Sequence, residues 1–167
     1  MNNRGFSLIE VMVALMVLLV VTAGVLPLTL VATKTAENQG HLMSRTTEYA
    51  QDKLEQLLAL AYGDTLSDTR VFPATDAGGT GLAEGGNSDP DAPVASYVDY
   101  LDIDGTLIDA EDDEAPANWF YKRVWEIEIP SANLKRVTVT AIVRASSAGG
   151  LGQIPRATVS ALKSFPF

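Results

Sequence analysis

Apolar residues follow three successive patterns along this 167-residue chain. From Arg4 to Ala32 it reads RGFSLIEVMVALMVLLVVTAGVLPLTLVA, a nearly unbroken apolar run after a short polar leader. A helix crossing a bilayer needs about 20 such residues, so this run is long enough. From Lys34 the pattern changes. Leu42, Met43, Ala50, Leu54, Leu57, Leu58 and Ala61 recur at three-and-four spacing, with Glu37, Glu48, Asp52 and Glu55 mostly off that stripe. The spacing predicts one helix from Phe6 to about Tyr62, apolar all round in its first half and amphipathic in its second, with Gly63 as its stop. Gly24 and Pro27 interrupt the first half. Proline lacks the backbone donor and crowds the preceding turn, so a kink or a locally unwound stretch is expected there.

The third pattern is strict alternation. Tyr121, Trp125, Ile127 and Ile129 fall on one side of a strand over Phe120 to Ile129, with Lys122, Glu126 and Glu128 on the other. Val137, Val139, Ala141 and Val143 alternate with Arg136, Thr138, Thr140 and Arg144 over Leu134 to Ala145. Arg156 to Lys163 makes a third strand, and Ala95 to Tyr100 a short one. Turns at Pro130–Asn133 and at Ser146–Gly152 make these an antiparallel meander. The fold class expected is α+β: a long N-terminal helix, half membrane-spanning and half amphipathic, laid on a sheet of three or four antiparallel strands. The organisation is a leader at 1–5, an apolar helix at 6–33, an amphipathic helix at 34–62, an acidic loop region with a short strand at 63–118, and a sheet at 119–167. Within the loop region, Asp76 to Asp91 is rich in glycine, has little to bury, and reads as a mobile surface loop.

Charge sharpens this division. Residues 63–118 carry one arginine against fourteen acids, and residues 119–167 carry seven Lys/Arg against two acids, within a net charge of −9. Attraction between the two blocks would hold the loops against the sheet. The basic charges alternate with apolar residues, which describes a solvated sheet face, so no nucleic-acid partner is expected. The chain has no cysteine. Disulfides and thiolate metal sites are therefore excluded, and a head of this size must rely on packing.

Candidate chemistry is sparse. The one histidine, His41, has no ligand partners at metal spacing and reads as a helix-surface residue. Asp102, Asp104 and Asp109 around Gly105, followed by the acidic run Glu111–Glu114, resemble fragments of a calcium loop, since hard cations want several carboxylate oxygens on a turn. The full loop signature is incomplete, so calcium is an optional ligand here and no cofactor is required. The DxDGT string at Asp102 is similar to the haloacid-dehalogenase nucleophile motif, but that chemistry needs a parallel α/β domain for which the chain has no room. No nucleophile–base constellation is present, and an enzyme is not expected.

Glu10 is the first functional candidate. A carboxylate within a lipid-spanning run costs roughly 2.5–3.5 kcal/mol and is tolerated where a partner neutralises it. Three readings of the run compete: a cleaved secretory signal, which lacks a small-residue cleavage site after the run; a plain signal anchor, which leaves Glu10 unexplained; and a signal cut before the run.

The residues Gly5-Phe6-Ser7-Leu8-Ile9-Glu10-Val11 resemble the class III signal of type IV pilins and type II secretion pseudopilins. The resemblance implies cleavage after Gly5 by a membrane prepilin peptidase, which also N-methylates Phe6. It implies that Glu10 pairs with the N-terminal amine of a neighbouring subunit, and that the helix opens near Gly24 and Pro27 when packed in a filament. The implied partners are other pilins or pseudopilins through the N-terminal helix, together with the peptidase and the bacterial inner membrane. The chain would sit there as a single pass, N-terminus cytoplasmic and head periplasmic, before entering a pilus or pseudopilus near its tip. The Lys53-Leu54-Glu55 stretch and the Trp125/Val137 strand pair are similar to those of PilV-type minor pilins. The minor pseudopilin I of type II secretion is the runner-up. A reading of another class is a membrane-anchored binding module with an acidic, calcium-holding loop. Many pilins carry a C-terminal disulfide, from which this chain departs.

Overall fold

A computed structural model describes residues 7–109, 114–145 and 153–165. One helix, α1, runs from Leu8 to Ala59 without interruption. Six strands follow: β1 (Gly85–Gly86), β2 (Val98–Leu101), β3 (Leu107–Ile108), β4 (Tyr121–Ser131), β5 (Leu134–Val143) and β6 (Arg156–Ser164). They form one antiparallel sheet in the order β3-β2-β4-β5-β6, with β1 pairing separately to β4 beyond the end of β2. The long helix on an antiparallel sheet is the α+β architecture expected from the pattern. The sheet is wider than three or four strands because two two-residue strands, β1 and β3, escape any periodicity. Compactness divides the chain into residues 1–39 and 40–167.

Within residues 40–167, α1 lies on one sheet face and fills it with the stripe Thr46, Ala50, Lys53 and Leu57. Ala50 and Leu57 meet Leu82, Tyr97, Trp125, Ile127, Val137, Val139 and Ala141 in the main core. Tyr49, Leu101, Tyr121 and Val143 continue it toward the other end of the sheet. The inward-facing β5 residues Val137, Val139, Ala141 and Val143 are all fully buried, as their period of two requires. The opposite face is not simply wet. Val98, Tyr100 and Val124 form a smaller cluster there under Trp119.

The segment 63–93 departs from expectation. It keeps a surface run, exposed over Thr75 to Gly78, but is strapped to the core through a few buried residues. Leu82 is fully buried in the main core and Pro90 is also enclosed. Asp64 organises the strap's start: one carboxylate oxygen accepts the Leu66 and Ser67 amides at 3.0 Å each, and the other accepts the Ser67 hydroxyl at 2.7 Å. Leu82 N–H donates to the Asp64 carbonyl at 2.8 Å, and the Lys135 ammonium donates to the Leu82 carbonyl at 2.7 Å. The glycines that suggested disorder are positional. Gly86 has φ +82°, and a Cβ there would overlap the Trp125 carbonyl oxygen. The expected attraction between acidic and basic blocks takes a specific form. Lys122 and Lys135 grip strap carbonyls (Pro90 at 2.5 Å for Lys122) rather than strap carboxylates.

Candidate assembly segment and the buried ion cluster

The first candidate is the start of α1. Ser7 is its N-cap, and its carbonyl accepts the Glu10 and Val11 amides at 3.0 and 3.2 Å. This sets Glu10 in the first turn, where a carboxylate meets unpaired backbone amides and the positive end of the helix dipole. Gly5 and Phe6 lie outside the described residues. From Leu8 to Val31 the large apolar side chains are exposed on every side of the helix, and an 18-residue window of α1 reaches a mean hydropathy of 2.7. No water-facing helix carries such a surface without a partner. Its hydroxyls are already turned inward. Thr22 donates to the Leu18 carbonyl at 2.9 Å, Thr29 to Leu26 at 2.8 Å, and Thr33 to Thr29 at 2.8 Å. Polar side chains that satisfy themselves on their own helix suit a hydrocarbon surrounding.

Gly24 and Pro27 sit within this stretch, and α1 is helical through both. The unwinding expected there is therefore not a feature of the single chain.

This surface and this cap have a counterpart among known proteins. The model of the prokaryotic N-terminal methylation motif matches residues 1–26. The chain carries the class III signal of type IV pilins. The pilin signal implies processing by prepilin peptidase and assembly with other pilins, and with the apolar helix it fits an inner-membrane anchored, type IV pilin-like or pseudopilin protein. No curated protein and no solved structure gives a significant match to the chain.

The second constellation was not anticipated from sequence. Arg123 on β4 and Asp99 on β2 are directly paired across the sheet and both face α1. The Arg123 Nε and Nη2 donate to the two Asp99 carboxylate oxygens at 2.7 and 2.8 Å. Lys53 of α1 reaches the same carboxylate at 2.8 Å, donates to the Thr69 carbonyl of the strap, and lies 4.2 Å from the Trp125 ring centroid. All three charged residues are at most 3% exposed. Asp52, half-exposed at the rim, adds a 3.4 Å contact to Arg123.

Burial alone would raise the Asp99 pKa, but the Arg123 and Lys53 charges outweigh it and hold the carboxyl below the usual carboxylate range. Burial pushes the Lys53 ammonium down, and Asp99 only partly offsets this because Arg123 repels from the other side. The cluster thus joins helix, strap and two strands at one point. Its chemistry is that of a structural tie: the carboxylate is ionised and saturated with donors, and neither cation is free to meet a ligand.

Among the described residues, the calcium candidates Asp102, Asp104 and Asp109 do not gather as a metal site. The Asp102 carboxylate accepts the Asp104 and Thr106 amides at 2.9 and 2.8 Å, closing the turn between β2 and β3. Asp104 and Asp109 are exposed, and among the described residues no three acidic, histidine or cysteine groups gather as a metal site. Glu111 to Asp113 lie outside the described residues, and Glu114 is exposed. His41 is exposed on α1, as read from sequence.

Proposed function

We propose that this chain is a minor pilin of the PilV type that takes part in starting a type IV pilus. Its prepilin form is cut between Gly5 and Phe6, and Phe6 is N-methylated. Before assembly α1 anchors it in the inner membrane, N-terminus cytoplasmic and head periplasmic. In the filament, near its tip, Glu10 pairs with the Phe6 amine of a neighbour.

The observation that carries this reading is the class III signal opening directly onto an apolar helix whose first turn holds Glu10. In a low-dielectric bundle an unpaired carboxylate and an unpaired amine are each costly, and pairing across subunits removes both costs while fixing the axial stagger. Gly24 and Pro27 supply a place where a tightly packed helix can open, since Pro27 already lacks one ladder donor. The Lys53-Leu54-Glu55 stretch is similar to those of both PilV-type pilins and the pseudopilin I, and the long acidic loop and overall length favour the pilus component.

The test is the mass of the N-terminal peptide of the protein isolated from cells. A peptide beginning at methylated Phe6 supports the proposal. A peptide retaining Met1 to Gly5 refutes it and leaves a plain membrane anchor. Incorporation into sheared pili, as opposed to loss of type II secretion on deletion, separates the pilus from the secretion reading.

A further inference from the structure

Residues 69–74 form a loop of the strap, closed at its base where Asp68 and Thr75 pair and the Asp68 N–H donates to the Thr75 carbonyl at 3.0 Å. Two further ties hold that base. Lys53 of α1 donates to the Thr69 carbonyl, and one Asp68 carboxylate oxygen accepts the Arg70 amide and Nε at 2.9 and 3.0 Å. Phe72, within the loop, is 68% exposed and lines two cavities. One, of about 380 Å³, lies against β2 and β3, with apolar walls from Val71, Phe72, Val98, Leu107 and Ile108. The other, of about 210 Å³, lies against α1, with walls from Leu57, Leu60, Val71, Phe72, Pro73 and Ala74.

Each cavity exceeds the roughly 150 Å³ that holds a benzene ring. A lone exposed aromatic is ordinary, but Phe72 stands among apolar walls on a loop fixed at its base, where little ordering is needed to use it as an anchor. The charge around it is one-sided. Residues 63–118 hold one arginine against fourteen acids, and that arginine, Arg70, is engaged by Asp68. Lys53, the other cation lining the cavities, is tied to Asp99. Against them stand exposed carboxylates with no hydrogen bond or ion pair among the described residues. These are Asp109 in the first cavity's wall, Asp76 just beyond Ala74, and Glu55 one helical turn before Ala59 of the second cavity.

We propose that Phe72 and its two cavities are a docking surface for a basic segment of a different, neighbouring subunit. The segment lays apolar side chains into the cavities beside Phe72 and sets lysine or arginine against Glu55, Asp76 and Asp109. A small apolar ligand in either cavity would leave Phe72 and the carboxylates uncovered. A second copy of this chain does not supply the segment from its basic end, because the seven Lys/Arg of residues 119–167 each already hold a carbonyl or a carboxylate. This inference rests on the pilin-type reading for the existence of a neighbouring subunit.

The test uses the full chain expressed in its own cells. Phe72→Ser removes the anchor at an exposed position, where substitution costs the fold little. Glu55→Lys combined with Asp109→Lys sets like charge against the basic segment. Glu84→Lys makes the same kind of change at an exposed residue that lines neither cavity. The first two are expected to retain Phe6 processing and near-native melting, yet to fall about tenfold or more in sheared filaments, while Glu84→Lys stays at the wild-type level. A photo-crosslinking benzophenone side chain in place of Phe72 is expected to join a lysine- or arginine-bearing peptide of another subunit. If the double lysine variant does not fold, Phe72→Ser and the crosslink decide. Wild-type incorporation of either folded variant, or an equal fall with Glu84→Lys, overturns the proposal. So does a crosslink to an acidic peptide or to a second copy of this chain. An unprocessed N-terminus instead sinks the pilin reading, so the two failures are distinguishable.

Discussion

Arg123 holds both carboxylate oxygens of Asp99, at 2.7 and 2.8 Å, from the neighbouring position of the adjacent strand. With Lys53 on the same carboxylate, two cations share one fully buried acid. The energetic consequences are asymmetric. Removing the acid strands both cations, while removing one cation leaves a matched pair.

Asp99→Asn keeps the volume and removes the charge, so it leaves Arg123 and Lys53 without their common counter-ion. A broken buried pair costs about 3–5 kcal/mol. Urea unfolding of the detergent-solubilised chain is expected to show a loss in that range.

Lys53→Met replaces the second cation with an apolar chain of similar length and leaves Asp99–Arg123 intact. The Thr69 carbonyl loses its donor, at about 1–3 kcal/mol, and relief of the Arg123 repulsion offsets part of this. The same unfolding series is expected to rank Lys53→Met as clearly milder than Asp99→Asn. The reverse order would show that Lys53, not Asp99, is the centre of the tie.

Acid should loosen the head in a defined direction. Asp99 has its pKa lowered on folding, so its contribution is fully present above the unfolded aspartate value near 3.9 and is lost as pH falls below that toward its native value. Asp64 and Asp68 are also lowered and add to the same slope. Melting temperature measured between pH 6 and pH 3 is expected to fall steeply below about pH 4. The Asp99→Asn variant should show a shallower fall.

Leu82→Ala tests whether the glycine-rich strap is part of the core. A fully buried leucine cut to alanine costs about 2–5 kcal/mol, whereas the same change on a solvated loop costs almost nothing. Gly86→Ala gives an independent reading, because a Cβ at φ +82° meets the Trp125 carbonyl and breaks the β1–β4 pairing. Both variants should lower the melting temperature, and Gly86→Ala should also alter Trp125 fluorescence.

Glu10→Ala separates assembly from folding. Glu10 is exposed and belongs to the unit 1–39, outside the 40–167 head. The head should melt as in the parent chain, while the amount recovered in sheared filaments falls to background. Normal incorporation would remove Glu10 from the assembly mechanism.

What the sequence revealed follows from where physics leaves a periodic trace. The β4, β5 and β6 alternation is written in residue spacing, and these strands appear within one or two residues of their expected ends, though Ile129 is exposed; of the expected α1 stripe, Ala50 and Leu57 are buried, whereas Met43 and Ala61 are exposed. The ion cluster left a fainter trace. Arg123 occupies the inward parity between Tyr121 and Trp125, and Lys53 falls on the buried row of Ala50 and Leu57. A charge at an apolar register position is the signal for a buried pair, but the partner, Asp99, lies on a short strand among many acids and could not be singled out. The strap was misread because composition averages over position. Its glycines answer to particular backbone angles and close approaches, and its one decisive side chain, Leu82, carries no pattern of its own.

Arg123 and Asp99 stand 24 residues apart, and Lys53 lies further back still. A chain emerging from the ribosome presents the lysine first, then the aspartate, and the arginine last. Until β4 has appeared, the helix stripe has an amine to bury and no sheet to receive it. Contacts of such long sequence separation form late and together. The tie is thus complete only once β4 has appeared, near three-quarters of the chain's length, and the core beside it still awaits Val137, Val139 and Ala141 of β5.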